Sequence, residues 1–377
     1  MLIMNAYGMG GTVRATANLA DELSLRHDVE IVSVFRHRNT PFLRTSDRVR
    51  RSHLVDLRPG AQKWWQPGAT TRLKRPSRLF HPEERAYGNF NAESDRALKR
   101  YLSGLRTDVL VTTRAGLNVA AARFARDGIV LIGQEHLHFG AHTPGVLDEI
   151  RQWYPRLHAI VTLTEADRSA YTRMFEDDRT LVYTIGNGLP ETLRPLSRLE
   201  NHVVIAAGRL VKVKGYDRLL DIFAKVVEKR PDWTLRIYGD GTQADRLSRR
   251  ARALRLHNHV AFMGSTDDME GELAKASLHA VTSRFEGFGM TIVEALASGV
   301  PVVSFDCPQG PREIITSGHN GLLVPDGDLD AFADALVALM DDEGELRRIA
   351  ENGLEVADRY RISEVADRWD KVFTDLL

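Results

Sequence analysis

The chain has 377 residues, of which 43% are hydrophobic and 27% charged, a composition that is typical of globular proteins and excludes intrinsic disorder. Lysine and arginine total 51, as do aspartate and glutamate, so the net charge of zero gives no indication of a nucleic-acid partner. The length exceeds what one hydrophobic core usually takes and predicts two domains, and the single cysteine, Cys307, excludes an internal disulfide framework.

Apolar strand-like runs alternate with helical patterns, which predicts an α/β protein with parallel sheets and crossover helices. The first half predicts strands at 29–35, 109–112, 129–132, 159–163 and 181–185, and helices at 12–26, 92–105 and 118–126. The second half predicts strands at 203–207, 234–238, 259–263, 278–282 and 301–305, with helices between them. Two such series predict two Rossmann-like domains, 1–190 and 191–360, with a boundary in the proline-containing stretch 188–201.

The first loop, Tyr7–Thr12, follows a strand, is rich in glycine and opens a helix. A dinucleotide-binding fingerprint needs a third glycine where Val13 stands, and it needs an acidic residue after the second strand, where Arg36 stands. A nicotinamide site is therefore disfavoured. Gly10 either allows a tight strand-to-helix turn or lets the backbone approach a ligand.

Between 56 and 100 the sequence interleaves cations and aromatic residues. The cations are Lys63, Arg72, Lys74, Arg75, Arg78 and Arg85, and the aromatic residues are Trp64, Trp65, Phe80 and Tyr87. This stretch is either an ordinary solvated insertion or a surface for an anionic acceptor, a polyprenyl-phosphate lipid or a membrane. We therefore treat 58–87 as a candidate for peripheral membrane contact.

Three potential metal ligands, Glu135, His136 and His138, follow a buried strand. No further ligand cluster accompanies them, and the pair Asp326 and Asp328 lies late in the chain, outside a fitting Asp-x-Asp context. We expect no required metal and no cofactor.

The first predicted strand of the second half, 203–207, runs into a loop that contains Gly208 and three basic residues, Arg209, Lys212 and Lys214. Cations at the carboxyl edge of a strand suit an anion, because open α/β sheets bind ligands there. Arg209 can bind phosphate with a bidentate fork, and Lys214 acts as a point charge. For Lys212 the sequence favours a solvated position.

The segment 283–294 places two carboxylates, Glu286 and Glu294, eight positions apart across a loop-to-helix junction. The loop contains two glycines, and a helix follows from about Met290. The start of a helix offers unpaired N–H groups, which suit phosphate or sugar hydroxyls. Two carboxylates on either side of an anion site predict a nucleotide-sugar as the ligand.

This segment resembles the Glu-x7-Glu signature of retaining glycosyltransferases of family 4, which have the GT-B fold, two Rossmann-like domains whose parallel sheets face each other across a cleft. The loop after 203–207 resembles the family's G-R-L-x-x-x-K-G segment. The resemblance implies that Glu286 binds the donor hexose, Glu294 the ribose, and Arg209 with Lys214 the diphosphate. It also implies that the last helix, 361–377, crosses back onto the first domain.

Further roles follow from the resemblance alone. The implied catalytic residues are Glu286, His136, Lys214 and Arg209, and His138 is a weaker alternative to His136. The implied donor-binding residues are Gly10, Gly11, Arg209, Lys214, Glu286, Gly287, Phe288, Gly289, Met290, Thr291 and Glu294. Arg114 is the implied acceptor contact, because the first domain of GT-B enzymes carries acceptor specificity. Glu313 lies in a loop that resembles a variant of the family's G-x-P-E loop. It either orients that loop under the diphosphate or is a carboxylate that the dipole at a helix N-terminus favours.

The resemblance implies transfer of a hexose or N-acetylhexosamine, with retention, to a hydroxyl of an envelope glycan, a polymer, a lipid carrier or a small molecule. The choice of UDP over GDP or ADP rests on family frequency. An epimerase of the same fold, acting on UDP-N-acetylhexosamine, and a noncatalytic sensor of nucleotide-sugars are the alternatives.

Location is predicted from absences. No run approaches the ~20 apolar residues that span a bilayer. The first five residues are too short for the apolar core of a signal peptide, and one cysteine fits a reducing compartment. We expect a cytoplasmic protein, or one peripheral to the inner face of the cell membrane.

Overall fold

A computed structural model of the chain describes residues 1–61, 68–176, 179–191 and 195–377. The chain divides into two compact units. Unit 1 comprises Met1–Pro190 with Ile362–Leu377, and unit 2 comprises Glu191–Arg361. No helix within the described ranges is both long and apolar enough to cross a membrane.

Unit 1 is an alternation of strands and helices. Its strands are β1 (Leu2–Ile3), β2 (Glu30–Arg36), β3 (Arg50–Asp56), β4 (Val109–Thr112), β5 (Val130–Gln134), β6 (Ala159–Thr162) and β7 (Leu181–Thr184). Its helices are α1 (Gly11–Leu23), α2 (Ala69–Lys74), α3 (Ala92–Gly104), α4 (Ala115–Phe124), α5 (Pro144–Trp153) and α6 (Glu165–Met174). The strands form one parallel sheet in the order β3-β2-β1-β4-β5-β6-β7.

Unit 2 repeats this plan. Its strands are β8 (Val203–Ala207), β9 (Thr234–Tyr238), β10 (Val260–Gly264), β11 (Leu278–Val281), β12 (Val302–Phe305) and β13 (Leu322–Val324). Its helices are α7 (Tyr216–Lys229), α8 (Ala244–Ala253), α9 (Met269–Leu273), α10 (Met290–Ala297), α11 (Pro311–Ile314), α12 (Leu329–Asp341) and α13 (Glu343–Asp358). The strands form a parallel sheet in the order β10-β9-β8-β11-β12-β13.

The last helix, α14 (Ile362–Leu376), belongs to unit 1. Successive side chains of a strand point to opposite faces of the sheet, and Leu2 and Ile3 of β1 accordingly enter different clusters. Leu2 packs in the cluster that holds Leu98 of α3, whereas Ile3 packs in the cluster that holds Leu19 of α1 and Trp369 of α14. Both faces of the sheet are thus covered by helices, as a buried parallel sheet requires.

The predicted pair of Rossmann-like domains with parallel sheets is confirmed. Strands at 109–112, 203–207 and 234–238 have the predicted bounds. The strands β3 and β13 are not predicted from the sequence. β3 lies at an edge of the sheet, and most of its polar side chains are partly exposed, so the sequence lacks an apolar run there.

The basic and aromatic stretch folds largely into unit 1. Lys63, Trp64 and Trp65 lie outside the described residues. Phe80 is buried and stacks on Phe90, with ring centroids 3.6 Å apart. The hydroxyl of Tyr87 donates to the carbonyl oxygen of Ser77 at 3.0 Å. The ring of Phe80 is therefore part of the interior of unit 1, and the hydroxyl of the partly buried Tyr87 is bonded within the same unit.

One glycine fixes how two loops of unit 2 meet. Gly215 has φ of +67°, and a Cβ added there would lie 1.9 Å from the carbonyl oxygen of Thr282. Only glycine allows this approach, since any side chain would need the left-handed backbone and would displace a neighbouring main chain.

We predict that Gly215→Ala destabilises unit 2 more than Gly318→Ala does. Gly318 has a similar φ of +79°, but an added Cβ there meets nothing within 4 Å. The control therefore shows only the left-handed penalty of about 1–2 kcal/mol. Gly215→Ala should add about 1–3 kcal/mol because the 282 backbone must move. Denaturant unfolding of both variants measures the difference in the free energy of unfolding. Equal losses of stability in the two variants would contradict the prediction, because they would show that the backbone at Thr282 moves away from residue 215 without cost.

Candidate functional site

The candidate site of unit 2 lies where the strand order changes direction. β8 and β11 are neighbours in the sheet, β9 and β10 continue on one side, and β12 and β13 continue on the other. Open α/β sheets bind ligands outside the carboxyl ends of strands at such a switch point. The loops that follow β8 and β11 carry Lys214 and Glu286.

The side chains of Lys214 and Glu286 form an ion pair. Lys214 Nζ lies 2.6 Å from Glu286 Oε1, and the hydroxyl of Ser283 donates to the same oxygen at 2.6 Å. The Glu286 side chain is 8% exposed and that of Lys214 is 22% exposed. The pair is therefore largely desolvated, which strengthens its electrostatic interaction with any ligand that reaches it.

Backbone contacts fix the position of this pair. The amide of Arg284 donates to the carbonyl of Val213 at 2.8 Å, and the hydroxyl of Thr282 donates to the carbonyl of Gly215 at 3.1 Å. The guanidinium of Arg284 donates to both carboxylate oxygens of Asp217, at 2.9 and 2.7 Å. The Arg284 guanidinium also lowers the pKa of Asp217. These bonds hold the segments on either side of Lys214 and Glu286 in one register.

The glycine-rich loop then turns into α10. Gly289 caps the helix with φ of +99°, and Phe288 is buried, its ring 5.5 Å from that of Tyr360 in an edge-on contact. A Cβ added to Gly310 would lie 2.1 Å from the carbonyl oxygen of Phe288, so the loop after β12 packs directly on this turn. The amides of Met290 and Thr291 open the helix, where backbone N–H groups lack intrahelical acceptors.

The remaining predicted donor residues of unit 2 lie around this centre. Glu294 is buried in the body of α10, and its carbonyl accepts from the hydroxyl of Ser298 at 3.0 Å. Arg209 is exposed on the loop after β8, and within the described ranges its guanidinium has no carboxylate partner. Gly287 lies in the turn between Glu286 and α10. Glu313 lies in the four-residue helix α11, which comes after the loop that follows β12.

Cys307 is buried beside this centre and does not contribute a nucleophile. Burial raises the pKa of its thiol to about 12, and the nearby Glu286 carboxylate acts in the same direction. A thiol that stays protonated at neutral pH is unreactive.

Unit 1 holds a second polar cluster at the carboxyl end of β5. Glu135 is buried, and its Oε1 accepts from Tyr154 Oη and from Asn118 Nδ2, the latter at 2.8 Å. His142 Nε2 lies 3.7 Å from the other carboxylate oxygen and 3.2 Å from the hydroxyl of Tyr171. Burial raises the pKa of Glu135 to about 8. The carboxyl group is therefore protonated at neutral pH.

The histidines of this cluster are neutral. Burial lowers the pKa of His136, His138 and His142 to about 4 in each case, and the positive charge of Arg114 also lowers the pKa of His136. Nε2 of His136 is buried and lacks a hydrogen-bond partner among the described residues. A neutral imidazole can donate or accept, which suits a sugar hydroxyl.

The three predicted residues outside these clusters have different surroundings. Arg114 Nε donates to Glu84 Oε1 at 2.8 Å, and Nη1 lies 3.0 Å from the sulfur of Met4, so this guanidinium holds the interior of unit 1 together. Gly10, with φ of +156°, caps α1, and Gly11 is the first residue of that helix. A Cβ added to either glycine meets nothing within 4 Å, which leaves open space beside this backbone.

Several residues of both clusters are not predicted from the sequence. Ser283 begins the segment 283–294, but its bond to Glu286 has no local sequence signal. Asn118, Tyr154 and His142 come from separate parts of unit 1 and meet Glu135 only in the folded chain. Within the described ranges, no group of three or more His, Cys, Asp or Glu side chains is placed to hold a metal ion.

Residues 194–356 match the family model described as Glycosyl transferases group 1. The exopolysaccharide phosphotransferase of Streptomyces coelicolor is 36% identical over 380 residues, an alignment that covers 98% of this chain but 40% of that protein. An uncharacterized glycosyltransferase of Haemophilus influenzae is 24% identical, and the alignment covers 97% of each chain. The chain thus spans less than half of the first relative and nearly all of the second.

Among solved structures, Anabaena HepE in complex with UDP and glucose superimposes with a TM-score of 0.76 at 20% identity, covering 100% of both chains. This likeness confirms the fold, two Rossmann-like domains with parallel sheets as in GT-B glycosyltransferases. The matched family model and the name of the Haemophilus relative both describe glycosyltransferases.

The raised pKa of Glu135 predicts how stability depends on pH. The folded chain keeps this proton up to about pH 8, whereas the ordinary carboxyl pKa is 4.5, so this contribution to stability falls as pH rises through that window. The three histidines act in the opposite direction, but only up to their ordinary pKa of 6.5. Between pH 6.5 and 8, the free energy of unfolding of the wild-type chain should therefore fall by up to about 2 kcal/mol because of Glu135. In the Glu135→Gln variant this fall should be absent.

Denaturant unfolding at several pH values checks this, with Asp127→Asn as the control for an exposed carboxylate of unit 1. The control should keep the wild-type slope. A Glu135→Gln variant with that same slope would mean that Glu135 is already ionised in the folded chain.

Proposed function

We propose that the chain is a retaining glycosyltransferase that moves a hexose or N-acetylhexosamine from a UDP-sugar to a hydroxyl acceptor. The observation that carries this proposal is the largely desolvated Lys214–Glu286 pair at the switch point of unit 2. A lone ion pair of this kind is a weak source of stability because both charges lose hydration. It is better suited to exchanging partners with a ligand that carries both anionic and hydroxyl groups.

A UDP-sugar offers both groups. Its diphosphate replaces the Glu286 carboxylate at Lys214, and Arg209 adds a bidentate donor from the same loop. The freed carboxylate of Glu286 accepts hydrogen bonds from hydroxyls of the hexose. Glu294 binds the ribose, and the backbone of Gly287–Thr291 presents amides to the sugar and the phosphates. The family resemblance implies these roles, and we assign them to the positions that these residues have in unit 2.

The reaction needs stabilisation of the leaving diphosphate more than it needs a nucleophile. The bond between the anomeric carbon and the phosphate oxygen breaks, and negative charge grows on the UDP. Lys214, Arg209 and the amides at the start of α10 stabilise that charge with fixed donors. The acceptor oxygen bonds to the same face of the carbon, and its proton goes to a donor phosphate oxygen. Configuration is then retained without a protein nucleophile and without a metal.

His136 is proposed to hydrogen-bond the donor hexose. The proposal rests on the resemblance and on the neutral imidazole with its buried, unpartnered Nε2 in the described part of the chain. A neutral ring binds a hydroxyl without adding charge near the anomeric carbon.

The name of the Streptomyces relative gives a second reaction class, transfer of a phosphate-linked group. Since this chain spans 40% of that protein, the name does not assign the reaction to the matched part. The two reactions leave different nucleotides. Glycosyl transfer from a UDP-sugar releases UDP, whereas transfer of a sugar phosphate releases UMP.

Replacing Lys214 or Glu286 by alanine should lower turnover at least about a hundredfold, the scale measured for loss of one oxyanion donor. Lys212→Ala is the matched control. Lys212 precedes Lys214 on the same loop and is exposed, and its carbonyl, which the substitution keeps, accepts from Arg284 and from the amide of Gly215. The control should keep near wild-type turnover. Chromatography of the nucleotides released from UDP-glucose and UDP-N-acetylglucosamine, with water or a trial glycan as acceptor, measures each rate.

Near-normal turnover of the Lys214 and Glu286 variants would contradict the assignment of the site. Release of UMP in place of UDP would contradict glycosyl transfer, and conversion of the donor sugar to an epimer with no nucleotide release would indicate the epimerase.

A further inference from the structure

One arginine of unit 1 lies over the ring of a buried tyrosine, and two more arginines lie nearby. Tyr7 lies in the loop between β1 and α1, and Cζ of Arg36 lies 5.2 Å from its ring centroid. Asn39 joins Arg36 to Arg58, because its carbonyl accepts from the first and its Oδ1 from the second, and Arg51 also lies near Tyr7. We name Arg36, Arg51 and Arg58 the Tyr7 arginine cluster. It combines positive charges from β2, from β3 and from the loop that follows β3.

Each guanidinium of the cluster is held in place. Arg36 donates to the carbonyls of Arg38 and Asn39, at 3.3 and 2.8 Å. Arg51 donates to the carbonyl of Leu43 at 3.2 Å and to the hydroxyl of Thr45 at 3.3 Å.

Arg58 binds both carboxylate oxygens of Asp56, at 2.9 and 2.6 Å. Asn39 Oδ1 also accepts from Arg58 at 2.7 Å. Because the donors are already oriented, a ligand would bind without the full cost of ordering three long side chains.

The cluster carries an excess of positive charge. Asp56 is the carboxylate that pairs with Arg58, and His53 Nε2 lies 3.6 Å from it. Asp21 interacts with Arg51, but its Oδ1 already accepts from the amide of Ser46 at 2.7 Å. Within the described ranges, Arg36 has no carboxylate partner and Nε of Arg51 is buried without an acceptor. Donors are therefore left for an anion.

The cluster adjoins the glycine loop of unit 1. The amide of Phe42, in the connection from β2 to β3, donates to the carbonyl of Tyr7 at 3.3 Å. Gly10 and Gly11 lie three and four residues after Tyr7 in the same loop, with open space beside them. The exposed side chains of Arg38 and Arg44 extend the positive surface on the same connection.

We propose that the Tyr7 arginine cluster binds a phosphate group of the acceptor. The inference rests on the proposed function and narrows its acceptor to one that carries phosphate. Guanidinium groups match the oxygens of a phosphate with paired, charge-assisted hydrogen bonds, whereas an uncharged glycan offers neutral partners only. The phosphate belongs either to a polyol-phosphate polymer or to a lipid that carries the acceptor.

Calorimetric titration of the full chain tests this with a short glycerol-phosphate oligomer and an uncharged glucan of equal length. Saturating UDP is present in each titration, so that the phosphate site of unit 2 is already filled. The wild-type chain should bind the oligomer and not the glucan, and added salt should weaken the binding. Arg36→Gln should weaken it at least about tenfold, the value of one charge-assisted hydrogen bond.

Arg126→Gln is the matched control, because it removes the same charge from an exposed position of unit 1, before β5. It should leave the affinity unchanged. Titrations of each variant with UDP check that the fold is intact. A parallel series uses phosphatidylcholine vesicles with and without phosphatidic acid. Binding of the oligomer alone assigns the phosphate to a polymer, and binding of the acidic vesicles alone assigns it to a lipid.

The inference is overturned if neither phosphate probe binds, if the glucan binds equally well, or if Arg126→Gln weakens binding as much as Arg36→Gln does. A chain that binds UDP but no phosphate probe would refute the acceptor inference and leave the glycosyltransferase proposal intact. A chain that does not bind UDP would refute the proposed function itself.

Discussion

The Lys214–Glu286 ion pair is the interaction on which the account of this protein depends. Two loops that follow adjacent strands meet there, and Gly215 allows their backbones to approach closely enough for the pair to form. Removing two charges from water costs more than one contact usually returns. Such a pair is therefore easier to explain as a binding site than as a stabilising element. In the proposed function, the diphosphate of the donor binds Lys214 and its sugar binds Glu286.

The polar clusters of the two units differ in the charge of their side chains. Unit 2 keeps Lys214 and Glu286 as an ion pair with an exposed Arg209 on the same loop, which suits an anionic ligand. At the carboxyl end of β5, unit 1 keeps Glu135 protonated and His136 neutral, and it concentrates positive charge around Tyr7 instead. This difference fits a donor that binds through its diphosphate and an acceptor that is recognised elsewhere.

The sequence predicts those parts of the site that are local. The glycines, the helix start and the two glutamates of 283–294 stand in one string, so their arrangement follows from turn and cap rules. The partners of Glu135 do not, because Asn118, Tyr154 and His142 come from different elements. Similarly, β3 was missed because its side chains alternate too weakly at an exposed edge. Lys63, Trp64 and Trp65 lie outside the described residues, so their predicted roles stay predictions.

The most direct test of the central claim is calorimetric titration of Glu286→Ala with UDP and with a UDP-hexose. If Glu286 binds the hexose and competes with the diphosphate for Lys214, the variant should bind UDP at least as tightly as the wild-type chain does. It should bind the UDP-hexose at least about tenfold more weakly, as loss of a charge-assisted hydrogen bond implies. Equal weakening of both ligands, or no binding of UDP to the wild-type chain, would contradict the account.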